Sequence, residues 1–131
     1  MKSGSLKFRK LIAAAKAARR NAHAPYSKFR VGAALLTKSG KVYTGVNVEN
    51  ASYGLTNCAE RVAVGKAVSE GHRQFQAIAV VAPSVALSPC GACRQVLAEF
   101  GDCVVICADS RNLRRVRIHL LSELLPHTFK L

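Results

Sequence analysis

Apolar positions recur along this chain in two rhythms, one helical and one extended. Leu11, Ala14, Ala15 and Ala18 fall at helical spacing with basic residues between them, and Ser5 offers a cap, which predicts a helix from Ser5 to about Asn21. Val31 to Thr37 is apolar and strand-like, Lys38-Ser39-Gly40-Lys41 turns the chain, and Val42 to Val46 completes a predicted hairpin. A loop from Asn47 to Asn57 leads into a helix from about Cys58 to Glu70, closed by Gly71. Gln76 to Ala82 reads as a buried strand, and Pro89 introduces a helix that runs through Phe100 to Gly101. Val104 to Ala108 and Val116 to Leu120 read as two more strands, before a short helix, Ser122 to Leu125, and a tail with Phe129.

Strands alternating with helices after a hairpin predict an α/β fold, a three-layer α/β/α sandwich on a mixed five-stranded sheet. The two helices that begin near Cys58 and Pro89 follow one another across a strand. A right-handed crossover lays them side by side on one face, with neighbouring N-termini.

Composition narrows the setting. A chain of 131 residues, half of them hydrophobic, fits a single domain over 1–131 with a core that needs no disulfide staples. No apolar run can span a bilayer, and Lys16, Arg19 and Arg20 break up the alanines that a signal peptide would need. Five cysteines, an odd number, point to a reducing, cytoplasmic compartment. The net charge of +13 is uneven: Lys2, Lys7, Arg9, Lys10, Lys16, Arg19, Arg20, Lys28 and Arg30 form an acid-free N-terminal run, and Arg111, Arg114, Arg115 and Arg117 a second cluster. Such patches bind polyanions or are simply solvated faces; a solvated face is the commoner case. The same run fits an organelle transit peptide, but motif sequence begins by Tyr26, which leaves little to cleave.

The chemistry lies at the two helix starts. Cys90 and Cys93 share a helix's first turn and can bite one ion, Cys58 heads the other helix, and Glu60 stands two residues beyond it. Cβ vectors tilt toward a helix N-terminus, so these side chains can converge on a point beyond it. Three thiolates with one open position match a catalytic zinc, since structural sites close with a fourth residue. A ligand-x-Glu segment followed by Pro-Cys-x-x-Cys is the pattern of zinc-dependent deaminases. Three thiolates leave Zn²⁺ with a net charge of minus one, which Arg61 or Arg94 could offset; Arg61 shares a helix face with Cys58 and is favoured. The thiolate set suits zinc without being unique to it. A redox Cys-x-x-Cys pair leaves Cys58 and Glu60 without a role. A structural Cys₄ site would need Cys103 or Cys107, which sit among Val104, Val105 and Ile106 and read as core. His23, His72, His119 and His127 show no ligand spacing.

At this point the chain closely resembles the small homotetrameric zinc-dependent cytidine deaminases. The likeness is carried by Ala24 through Leu35, Asn47 through Tyr53, Thr56 through Arg61, Ser88 through Gln95, and Leu124 through Phe129. It implies one zinc per subunit on Cys58, Cys90 and Cys93, with Glu60 as proton shuttle. It also implies Asn47 and Glu49 on the ribose 3′-hydroxyl, Phe29 on the pyrimidine, the Ala59 backbone on the base, and Val48 and Ala51 beside the substrate. Tyr53 and Phe129 would reach a neighbouring subunit's substrate, which implies a homotetramer with shared sites. Spacing alone would make Phe29 and Phe129 core and Asn47 a turn residue. Asn57 departs from the apolar residue usual in the family before the first zinc cysteine.

The expected reaction is deamination of cytidine and 2′-deoxycytidine to the uridines, in pyrimidine salvage. A polynucleotide-editing deaminase would need extra loops to hold a strand. A nucleoside-antibiotic deaminase fits the Asn50-Ala51-Ser52-Tyr53 loop poorly. A zinc module that binds nucleic acid through the basic patches leaves Glu60 idle. The partners expected are a nucleoside and other copies of the chain, with no membrane.

Overall fold

The computed structural model describes residues 5–84 and 88–131, so Lys2 of the basic run lies outside the described residues. Helix α1 spans Leu6–Arg19, and the Phe8 N–H donates to the Ser5 hydroxyl at 3.2 Å, the cap expected there. Strands β1 (Gly32–Thr37) and β2 (Val42–Val46) form the hairpin, followed by α2 (Ala59–Ser69), β3 (Phe75–Ala82), α3 (Gly91–Ala98), β4 (Val104–Asp109), β5 (Asn112–Leu120) and α4 (Leu121–Leu124). The sheet order is β2-β1-β3-β4-β5, and only β3 and β4 run parallel.

Alternation along the strands sorts the core into two layers. Ala34, Leu36, Ala79, Val81 and Ile106 meet Phe8, Leu11, Ile12 and Ala15 of α1. Leu35, Ile78, Val80 and Val105 meet Ala63, Val64 and Ala67 of α2, Leu97 of α3 and Leu121 of α4. Three layers on a mixed five-stranded sheet are the architecture expected. The β3–α3–β4 crossover joins the parallel pair and sets α3 on the same face as α2.

Two elements begin two or more residues from the position expected. Strand β5 begins at Asn112 rather than Val116, because Ser110 and Arg111 alone make the turn and Asp109 pairs with Asn112. Its arginines obscured the pattern, yet charged side chains suit an edge strand, where they discourage pairing with other chains. Helix α3 begins at Gly91 rather than Pro89, with Cys90 extended at φ −66°, ψ 168° as its cap. No described helix is long and apolar enough to cross a membrane.

Two glycines allow the layers to close. A Cβ on Gly45 of β2 would stand 2.3 Å from the Ala59 carbonyl oxygen and 2.6 Å from the Ala63 nitrogen. A Cβ on Gly32 of β1 would stand 2.0 Å from the Ala15 carbonyl oxygen. Backbone meets backbone in both, so no rotamer change can relieve the clash. Gly45→Ala should therefore lower the unfolding free energy by about 1–3 kcal/mol. Gly65, on the exposed side of α2 with nothing within 4 Å of a Cβ, is the control: Gly65→Ala should stabilise by about 1 kcal/mol. Thermal unfolding of both variants tests the pair; a Gly45→Ala protein as stable as the parent contradicts the close approach.

Candidate active site

Two helix starts converge on one point. Cys58 caps α2 and Cys90 caps α3, both with extended backbone, and neither sulfur is spent on a capping hydrogen bond. Cys93 lies one turn into α3 and is buried. The Cys58 and Cys90 sulfurs are 3.8 Å apart, the Cys90 and Cys93 sulfurs 3.5 Å, and all three lie within 4.8 Å of one another. Tetrahedral zinc with Zn–S bonds near 2.3 Å requires sulfur pairs about 3.8 Å apart. The donor set and its spacing therefore fit zinc. Cys103 and Cys107 stay in the core, where burial pushes both thiols up to about 12, and neither joins the cluster.

The surroundings divide the charge. Arg61 Nη2 donates to the Cys58 sulfur at 3.4 Å, while its Nε is buried without a hydrogen-bond partner. Hydrogen bonding from Cys93, then from Arg61, pulls the Cys58 thiol down to about 5. The Cys93 thiol is held well above its ordinary range by that same contact with Cys58 and by burial. Arg94, the other candidate countercharge, serves elsewhere: it donates to the Pro89 carbonyl at 2.7 Å, the Leu124 carbonyl at 2.7 Å and the Ser88 hydroxyl at 2.8 Å. It thus ties the start of α3 to α4. Glu60, in the first turn of α2, is 5% exposed, and burial pushes its carboxyl up to about 7.

A second group of predicted residues is brought together by backbone bonds. The Asn47 side chain accepts from the Val31 N–H at 2.9 Å and donates to the Phe29 carbonyl at 2.8 Å. One amide N–H remains, so the bridge shapes the 29–31 segment and leaves a donor over. Glu49 accepts from the Tyr26 and Ser27 N–H groups at 3.0 and 3.1 Å and from the Ser27 hydroxyl. The Ser27 hydroxyl is the first cause that lowers its pKa. Ser27 lies in the Ala24–Leu35 motif, but the sequence assigned it no role. Phe29 is half-buried against the core under α2 and α3. Val48, exposed, exchanges backbone bonds with Asn57 at 2.9 Å, which holds the loop one residue before Cys58. Asn57 is itself exposed, so it displaces no core packing. Ala59 is buried, Ala51 is exposed, and the aromatics Tyr53 and Phe129 stand 90% and 70% exposed.

Comparison with known proteins gives the same picture. Residues 7–109 match the model of the cytidine and deoxycytidylate deaminase zinc-binding region. A cytidine deaminase of Sporosarcina psychrophila is 62% identical over 92 residues, 70% of this chain and 68% of the relative. One from Halalkalibacterium halodurans is 53% identical over 123 residues, 91% of each chain. The crystal structure of cytidine deaminase from Burkholderia pseudomallei superposes with a TM-score of 0.87 at 52% identity, covering 92% of this chain and 98% of that one.

Glu60 supplies a test of the site's electrostatics. Its folded pKa of about 7 lies above the ordinary 4.5, so the folded chain keeps a proton that the unfolded chain releases. The group costs stability as pH rises across that interval and adds no further cost above it. In metal-free protein, Glu60→Gln should gain on the parent through this window, by up to about 3 kcal/mol above about pH 8. Denaturant titrations across pH measure it; a difference that stays constant with pH contradicts the burial argument.

Proposed function

Because this chain belongs to the cytidine and deoxycytidylate deaminase zinc-binding family, we propose that it hydrolyses cytidine and 2′-deoxycytidine to uridine and 2′-deoxyuridine with release of ammonia, in pyrimidine salvage. The observation that carries the reading is Glu60, a buried carboxyl with a pKa of about 7, two residues from one of three convergent thiols. A group with that pKa can both take and return a proton near neutral pH.

Cys58, Cys90 and Cys93 would hold one zinc per subunit. When bound, zinc supplies acidification of a water molecule and stabilisation of the charge that develops as the C4 carbon is attacked. Glu60 removes the proton of the attacking water and places it on the base N3, then delivers the second proton to the departing 4-amine. Arg61 offsets the negative charge of three thiolates. Phe29 packs on the pyrimidine, the Ala59 backbone contacts the base, and Val48 and Ala51 flank the substrate. Asn47 and Glu49 hydrogen-bond the ribose 3′-hydroxyl; the spare Asn47 N–H and the lowered pKa of Glu49, which keeps it an acceptor, support this. The exposure of Tyr53 and Phe129 supports a homotetramer in which each reaches a neighbouring subunit's substrate. Five free cysteines agree with a cytoplasmic setting.

Ultraviolet assay of cytidine turnover tests the reaction. Glu60→Ala should keep its zinc and lose activity by about 10²–10⁴-fold; near-normal turnover would contradict the shuttle. Sedimentation of the same preparations should give four chains per particle, and a fully active monomer would contradict the shared sites.

A further inference from the structure

Helix α1 carries an unpartnered cationic face on the side of the sheet away from the cysteines. Its apolar side, Phe8, Leu11, Ile12 and Ala15, is used up in the core. Arg9, Lys16 and Arg20 stand at i, i+7 and i+11, so they form one exposed row, with Lys10 beside it. At 1.5 Å per residue the row is about 16 Å long. Arg30 extends it: its guanidinium donates to the Arg20 carbonyl at 3.4 Å, and Arg19 Nε donates to the Arg30 carbonyl at 2.8 Å. Among the described residues the ion pairs belong to Asp109, with Arg111 and Arg115, so the α1 row is left uncompensated. The acids cannot answer it. Glu60 and Asp109 are buried; Glu49, Asp102 and Glu123 are engaged by hydrogen bonds from the Tyr26–Ser27 turn, from Ser122 and from the Leu120 N–H; and Glu70 and Glu99 stand at the ends of α2 and α3, on the other face of the sheet.

We propose that the solvent face of α1 binds the phosphate backbone of duplex nucleic acid without reading its sequence. A row of about 16 Å spans roughly five base pairs at 3.4 Å each. Between the cations lie Ala13 and Ala17, small residues that let the backbone approach. The one aromatic on α1, Phe8, is buried, so this face has no platform for stacking unpaired bases. Only Leu6 is exposed as a large apolar residue on the helix, too little for insertion into a lipid surface. Binding here leaves the opposite face, with its thiols and Glu60, open.

Fluorescence anisotropy of a labelled duplex of about 20 base pairs, titrated with the zinc-loaded full chain, tests this. Four phosphate contacts predict roughly 150-fold weaker binding between about 50 and about 200 mM salt. Replacing Arg9, Lys10, Lys16 and Arg20 together with Gln should abolish most of the affinity and flatten that slope, with helical circular dichroism retained. Lys16→Gln alone should lower the slope by about 0.9. Lys38→Gln, Lys41→Gln, Lys66→Gln and Arg73→Gln combined remove the same charge elsewhere and should leave the slope intact. Equal losses in the two fourfold variants, no duplex binding at about 50 mM salt, or capture by phosphatidylserine vesicles alone would overturn the proposal.

Discussion

Three thiols within 4.8 Å of one another cannot all ionise without a cation among them. The protein alone answers this only in part. Arg61 reaches the Cys58 sulfur, and the sulfurs then separate in behaviour, Cys58 readily giving up its proton and Cys93 holding on to its own. A divalent ion resolves the conflict, and the buried, unpartnered Nε of Arg61 lies in the same charge field. Much of the fold can be understood as what keeps these sulfurs together.

Backbone proximity does that work. Helix α2 can sit against β2 because Gly45 offers no Cβ to the Ala59 carbonyl, and this fixes Cys58 and Glu60 relative to the sheet. Helix α3 lies on the same face because β3 and β4 run parallel, and Arg94 locks its start to the Leu124 carbonyl. Between the hairpin and α2, the Val48–Asn57 pairing delivers the chain to Cys58. The same loop carries Asn47 and Glu49, whose side chains hold Phe29, Val31 and the Tyr26–Ser27 turn. Cys58 and the loop that would meet a sugar are thus set by one continuous stretch of backbone, while Cys90 and Cys93 arrive from α3.

Most element boundaries were legible because caps and turns are local. Ser5 starts α1, and Gly71 and Gly101, at φ +92° and +95°, follow α2 and α3 as stop signals. Strand β5 was read too short because the missed residues include exposed Arg114 and Arg115 where a buried strand would carry apolar residues. The cluster could be inferred from spacing, since a Cys-x-x-Cys turn and a capping cysteine have few ways to share an ion. The choice of Arg61 over Arg94 rested on helix geometry; in the structure Arg61 Nη2 donates to the Cys58 sulfur, while Arg94 donates to Pro89, Leu124 and Ser88. Ser27, the Asn47 bridge and the backbone clash at Gly45 were not legible. Each depends on segments distant in sequence meeting at hydrogen-bond or van der Waals range, and no local pattern encodes that.

Three thiolates holding one zinc with a position left open would give the metal a distinctive coordination shell. X-ray absorption at the zinc edge on the purified, zinc-loaded protein addresses it directly. Three sulfurs at about 2.3 Å and one oxygen at about 2.0 Å are expected. Four sulfurs, which would recruit Cys103 or Cys107 from the core, or fewer than three, would contradict it.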